Sequence, residues 1–178
     1  MDTADGDSYQ SYGGKYRTES VGAGLHTFTP PDQVPVEMAR MVQEYNDDLD
    51  KAAADGELDP YEMAAKYCHK FVNIHPFLDG NGRTCRIILN SILLKYAGVV
   101  VPLGETESAR VDYLALAARS SMGSPQDLDL ADEDEDEWAK KPWGELSYVI
   151  LLGAKKSMQK MATVLSGESM DDEWEEES

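Results

Sequence analysis

His75-Pro76-Phe77-Leu78-Asp79-Gly80-Asn81-Gly82-Arg83-Thr84-Cys85-Arg86 is the stretch on which the fold of this chain turns, because it reads as the junction between two helices. Upstream, Asp59-Pro60-Tyr61-Glu62 supplies an N-cap acid, a proline at the first helical position and a glutamate that completes a capping box. Met63, Ala64, Tyr67, Cys68, Phe71 and Val72 carry that helix to about Ile74, since Pro76 disfavours helical geometry at His75. Downstream, Arg83 to Ala97 reads as a second helix that stops at Gly98, a left-handed C-terminal position. Its apolar residues Ile87, Ile88, Leu89, Ile92, Leu93 and Leu94 wrap widely, which predicts a central helix.

The junction also carries chemistry. A helix start leaves backbone N–H groups unpaired and bears roughly half a positive charge, so the mouth of the second helix is an anion site. Gly80 and Gly82 lack a Cβ and let the backbone come close to a phosphate oxygen. Arg83 and Arg86 are three residues apart on one face, where two permanent forks can grip phosphate bidentately. Asp79 stands beside them as a partial ligand for Mg²⁺, which keeps waters and takes phosphate oxygens for the rest. His75, with an ordinary pKa near ~6.5, is suited to removing a proton near neutrality. Phe77 reads as the apolar pin of the loop. These residue types point to a nucleoside triphosphate held at a helix mouth and a hydroxyl activated against it.

The run resembles the signature of the Fic domain family, His-x-Phe-x-Asp/Glu-Gly-Asn-Gly-Arg-x-x-Arg. His75, Phe77, Asp79, Gly80, Asn81, Gly82, Arg83 and Arg86 match every fixed position. Eight specified positions at roughly one in twenty each put a chance match on the order of one in ten billion per start point, which makes coincidence the weaker reading. Outside the motif, Gly14-Lys15-Tyr16-Arg17, Val21 and His26-Thr27-Phe28-Thr29-Pro30-Pro31 look like the family's hairpin flap, and Ala65 to Ile74 looks like its helix leading into the motif. The likeness spans about residues 13 to 120.

The resemblance implies an all-α helical bundle, the Fic fold, with a small β-hairpin flap over Tyr16 to Thr29. It implies transfer of AMP from ATP to a Ser, Thr or Tyr hydroxyl of a target protein. Carried over by position, His75 is the general base and Asp79 the Mg²⁺ ligand. Gly80, Asn81 and Gly82 cradle the α-phosphate, while Arg83 and Arg86 hold the phosphates that leave as pyrophosphate. A phosphorylating relative has lysine where this chain has Gly82, and a phosphocholine-transferring relative has alanine where it has Gly80, so adenylylation leads. Relative to the family pattern the chain reads as short at the N-terminus, with only Met1 to Tyr12 before Gly13, where family cores begin with one or two helices. The family's inhibitory Ser/Thr-x-x-x-Glu-Gly/Asn segment has no full counterpart, because no glutamate here is followed by Gly or Asn; Ser169 to Glu173 has its first half but ends in Trp174, and the weaker reading makes it an inhibitor. Restraint would then come from a separate inhibitory protein or another mechanism. A second reading is a catalytically impaired Fic module that binds a protein or nucleotide without turnover.

At 178 residues the chain is expected to hold one core. Its net charge of −18 is unevenly placed: eight acids lie between Asp127 and Glu137 and seven between Glu168 and Glu177, with no basic residue in either stretch. The remainder is nearly neutral, which disfavours direct nucleic-acid binding. The expected division is a disordered segment over 1–12, a core over 13–122, an acidic loop over 123–141, a helix over 142–166 and an acidic disordered tail over 167–178. The acidic stretches read as solvated, with a basic partner as the alternative. Cys68 and Cys85 read as buried free thiols of a reducing compartment, and no signal peptide or membrane span is visible, so a cytoplasmic setting, or a nuclear one, is expected.

Three further helices are expected, over Pro35 to Asn46, Ser108 to Ser121 and Pro142 to Leu165. The free edge of the flap would pair with an extended target segment. Structural alternatives stand beside the functional ones: Asp79 as a helix cap, Arg86 paired with an acid, His69 as a packing or hydrogen-bonding residue and His26 as a surface residue.

Overall fold

Caps and stops written in the chain bound its helices. The computed structural model describes residues 9–23, 26–104 and 141–167. In chain order these form a single helical turn α1 (Tyr9–Tyr12), a short strand pair β1 (Gly22–Ala23) and β2 (His26–Thr27), then α2 (Val34–Asp55), α3 (Pro60–Ile74), α4 (Asn81–Ala97) and α5 (Gly144–Ser166). The architecture is an all-α bundle. Asp59 starts α3 by accepting from the Tyr61 and Glu62 amides at 2.8 and 3.0 Å, with Pro60 inside the first turn. Gly56 and Gly98 end α2 and α4 in the left-handed conformation, at φ of 73° and 67°.

The hub of the bundle is α3, which packs against α2, α4 and α5. It buries Met63, Ala64, Ala65, Tyr67, Cys68, Phe71 and Ile74. Each large apolar side chain removed from water there contributes roughly 1.5–3 kcal/mol, so the helix leading into the motif is the best-anchored element. The motif helix α4 was expected at the centre; it buries Cys85, Leu89, Ile92 and Leu93 but leaves Ile87 and Leu94 exposed. The wide apolar wrap therefore does not mark the central helix. Past α4, Asn90 fixes the chain by accepting from the Val101 amide at 2.7 Å and donating to the Val101 carbonyl at 3.1 Å. Val101 in turn meets α5 at Gly153, where a Cβ would fall 2.6 Å from Val101 Cγ1.

Several expectations need correction. The helix expected over Pro35 to Asn46 runs on to Asp55, through a mostly charged stretch in which Leu49 continues the apolar spacing of Met41 and Tyr45 against the core. Glu62 does not close the capping box. Its carboxylate takes Lys141 Nζ at 2.7 Å and faces Trp143 Nε1 at 3.5 Å, which ties α3 to the start of α5. Cys68 and Cys85, expected as free thiols, are joined as a disulfide between α3 and α4, with Cα atoms 5.4 Å apart. Among the described residues, pairing within the expected flap joins Gly22 with Thr27 and Ala23 with His26. The helix expected over 108–121, most of the acidic loop and the tail beyond Gly167 lie outside the described residues. No described helix is long and apolar enough to cross a membrane.

Candidate active site

The end of α3, the loop from His75 to Gly80 and the start of α4 bring the motif residues together. His75 is the C-cap of α3, at φ 49° and ψ 59°, and is the only non-glycine residue with positive φ among the described residues. Its amide still donates to the Phe71 carbonyl at 3.0 Å, so the helix closes through it before the chain turns at Pro76. A side chain in that conformation is disfavoured, and its persistence requires that surrounding contacts hold it.

Those contacts come from the segment preceding α2. Arg17, only 5% exposed, donates from Nε to the His75 carbonyl at 2.7 Å, from Nη1 to the Glu19 carbonyl at 2.7 Å, and from Nη2 to the carbonyls of Thr29 and Ile74. The Arg17 amide donates to the Pro76 carbonyl at 2.9 Å, and the Thr29 amide to the Asn73 carbonyl at 3.3 Å. Burial lowers the pKa of Arg17, but an arginine starts so high that it remains a cation. Phe28 from the same segment stacks on the His75 ring, with centroids 4.0 Å apart and planes 17° from parallel. Tyr16 covers Phe77 at 5.9 Å, and Phe77 also meets Phe71 at 6.2 Å, so Phe77 does pin the loop.

Asn81 holds the loop from the other side. Its Oδ1 accepts from the Phe77 amide at 3.0 Å and its Nδ2 donates to the Phe77 carbonyl at 2.7 Å, which satisfies a buried side chain and closes the turn. Gly80 is the N-cap of α4 at φ 91°, a conformation open to glycine, and the Thr84 amide donates to its carbonyl at 2.9 Å. A Cβ placed on Gly80 would lie 3.5 Å from Arg83 Nη2, and one on Gly82 would lie 3.9 Å from Arg86 Nη1. Both guanidiniums therefore fold back over the first turn of α4, where the helix presents its unpaired amides.

Asp79 sits at the rim. Its Oδ1 accepts from the Gly80 amide at 2.6 Å and its Oδ2 from Arg83 Nη2 at 2.9 Å. The Asp79–Arg83 pair is solvent-exposed, at 42% and 59%, so it is worth roughly 0.3–0.5 kcal/mol and opens cheaply to a competing anion or cation. No group of three His, Cys, Asp or Glu side chains among the described residues forms a metal cage. A single accessible carboxylate beside an anion site still suits Mg²⁺, whose other ligands are waters and phosphate oxygens. Two clefts lie along α3 outside the motif, the first near its end and the second at its start. One, of about 240 Å³, lies between α2 and α3 and is lined by Arg40, Glu44, His69, Lys70 and Asn73; the other, of about 290 Å³, lies near Asp48 and Asp59. Neither is lined by His75, Asp79, Arg83 or Arg86. His69 contacts its neighbour Asn73, whose Nδ2 lies 3.2 Å from His69 Nε2.

Sequence reasoning placed Arg17 and Phe28 in the expected flap but gave neither of them a role at His75. Each is a lone letter in a polar segment, and its significance depends on contacts with residues more than forty positions away.

Comparison with known proteins bears on the family and the fold. The Fic/DOC family model matches residues 4–93. A Fido domain-containing protein of Dictyostelium discoideum is 38% identical over 107 residues, covering 60% of this chain and 72% of that protein. The protein adenylyltransferase fic-1 of Caenorhabditis briggsae is 37% identical over 112 residues, 62% of this chain, but this stretch spans only 20% of the relative's length. The crystal structure of a Fic domain containing signaling protein from Bacteroides thetaiotaomicron superposes with a TM-score of 0.62 at 26% identity, covering 90% of this chain and 58% of that one. With half of its length matched by the family model, the helices laid out as in solved Fic proteins and every fixed motif position present at one helix mouth, the chain belongs to the Fic/DOC family.

Proposed function

We propose that this chain transfers AMP from ATP to a Ser, Thr or Tyr hydroxyl of a protein. The observation that carries this reading is the pair of guanidiniums folded over Gly80 and Gly82 at the start of α4, one loop away from the imidazole of His75. The relatives named protein adenylyltransferase support the same reaction class.

In this reading the triphosphate lies across the first turn of α4. The amides of that turn, which have no partner inside the helix, receive the α-phosphate, and Arg83 and Arg86 take the outer phosphates. Arg83 exchanges Asp79 for phosphate oxygens, and Asp79 is thereby released to hold Mg²⁺, which supplies further neutralisation of phosphate charge when bound. His75 accepts the proton of the target hydroxyl. The hydroxyl oxygen bonds to the α-phosphorus, the bond from that phosphorus to the oxygen bridging to the β-phosphate breaks, and pyrophosphate leaves with the electron pair. Such transfer needs positioning and charge neutralisation more than covalent participation. Asn81, engaged at both ends with Phe77, keeps the loop in shape rather than serving as a free phosphate donor.

The impaired-module reading draws on the Asp79–Arg83 pair, which occupies both the metal carboxylate and one phosphate fork. Incubation with labelled ATP, Mg²⁺ and lysate, beside His75→Ala, separates the two. Label on the chain or on a target, reduced by about 10²–10⁴-fold in the variant, supports the transferase; equal signal in both contradicts it.

A further inference from the structure

Arg17 is a buried guanidinium with no carboxylate partner among the described residues; its hydrogen bonds go to backbone carbonyls alone. Two of these, Ile74 and His75, belong to the last turn of α3 and two, Glu19 and Thr29, to the segment before α2. The end of a helix carries unpaired carbonyls and about half a negative charge, so a cation there is stabilised without an acid. The fork geometry of arginine reaches several acceptors at once, which the single ammonium of lysine cannot reproduce with the same spread. One side chain thus joins two strands of chain 58 residues apart at the residue with the left-handed backbone.

The two consequences meet at the imidazole. Through Nε and its own amide, Arg17 fixes the carbonyls of His75 and Pro76, and with them the backbone from which the ring projects. Through Nη1 and Nη2 it anchors the segment that carries Phe28 onto the ring face. We propose that Arg17 is a positioning residue for His75: it holds the left-handed C-cap and docks Phe28 over the ring, so that order in the segment before α2 and orientation of the imidazole form one unit. The orientation claim stands on geometry; its kinetic consequence rests on the transferase reading above.

The test uses the full chain with Arg17→Met, Arg17→Lys and Phe28→Leu. The chain has three histidines, so the His75 ring resonances are assignable by their loss in His75→Ala. Stacking against Phe28 should give His75 a ring-current shift that Phe28→Leu removes. Arg17→Met is expected to remove the same shift while leaving His69 in place, and Arg17→Lys to restore it only in part. In transfer assays, Arg17→Met is expected to lower kcat by about 100-fold with KM for ATP within about two-fold, because displacement of the base weakens attack and not nucleotide binding. An unmoved His75 resonance in Arg17→Met overturns the proposal, as does a raised KM with kcat unchanged. If Arg17→Met does not fold, Arg17→Lys decides: a melting loss with the His75 shift intact assigns Arg17 a structural role only. Absence of transfer in the unmodified chain would defeat the functional reading and leave the resonance test to judge Arg17 by itself.

Discussion

The two ends of α3 are finished in opposite ways. At the start, Asp59 caps two exposed amides and Glu62 reaches Lys141 in a half-buried ion pair, so common polar side chains serve this end. At the finish, a buried arginine takes four carbonyls, a histidine stands in a left-handed conformation and an aromatic ring covers it. Both ends solve the problem of unpaired backbone groups. Only the second does so with strain and a buried charge, and that is the end that leads into the motif loop. In the middle, Tyr67 is buried and donates to Asp48 on α2 at 2.6 Å, which holds the helix in place between its two ends.

The contrast predicts that function and stability separate along the helix. His75→Ala should cost about 10²–10⁴-fold in transfer while shifting unfolding free energy by about 1 kcal/mol or less, because the lost ring is a partly buried group over a backbone held by Arg17. A melting loss comparable to that of a core truncation would erase the distinction.

Asp48→Asn acts on the middle of α3 and should cost about 1–2 kcal/mol at neutral pH, with transfer by the folded fraction unchanged. Burial pushes the Asp48 carboxyl up, but the hydrogen bonds from Lys66 and Tyr67 and the charges of Lys66 and Lys70 outweigh it, so its pKa lies below the ordinary carboxylate value. A carboxylate lowered by folding stabilises above its unfolded pKa, near ~3.9, and loses that contribution as pH falls through the folded value. The difference between the two proteins in denaturant melts should therefore be full at pH 7 and fade in acid. A difference that grows in acid would reverse the assignment.

Asp59→Ala gives the smallest effect, about 1 kcal/mol from the lost N-cap and no change in transfer. Urea unfolding checks the first part and the labelled-ATP assay the second. Sensitivity of transfer to Asp59 would mean that the two ends are coupled and not separate.

What could be read from the letters follows the same division. Asp59, Pro60, Pro76 and Gly98 act through their immediate neighbours, so α3 and the end of α4 were legible within a residue or so. The motif loop was legible for the same reason. The extension of α2 to Asp55 was not, because Asp47, Asp48, Asp50 and Lys51 surround Leu49, the one large apolar letter that continues the spacing of Met41 and Tyr45. The reach of Glu62 to Lys141, the bridge between Cys68 and Cys85 and the hold of Arg17 on His75 depend on contacts across 79, 17 and 58 positions. Local propensity contains none of that information. The central place of α3 likewise emerges only when three helices are seen against it.

The most direct test of the central claim is an ATP titration with Mg²⁺ followed through the backbone amides of the isotopically labelled chain, repeated with Arg83→Gln and Arg86→Gln together. The account predicts that the amides of Asn81, Gly82, Arg83 and Thr84 shift first, and that the double variant loses about 10²-fold in affinity through the missing charge-assisted bonds. Shifts centred on the cleft between α2 and α3, or equal binding by the double variant, would contradict it.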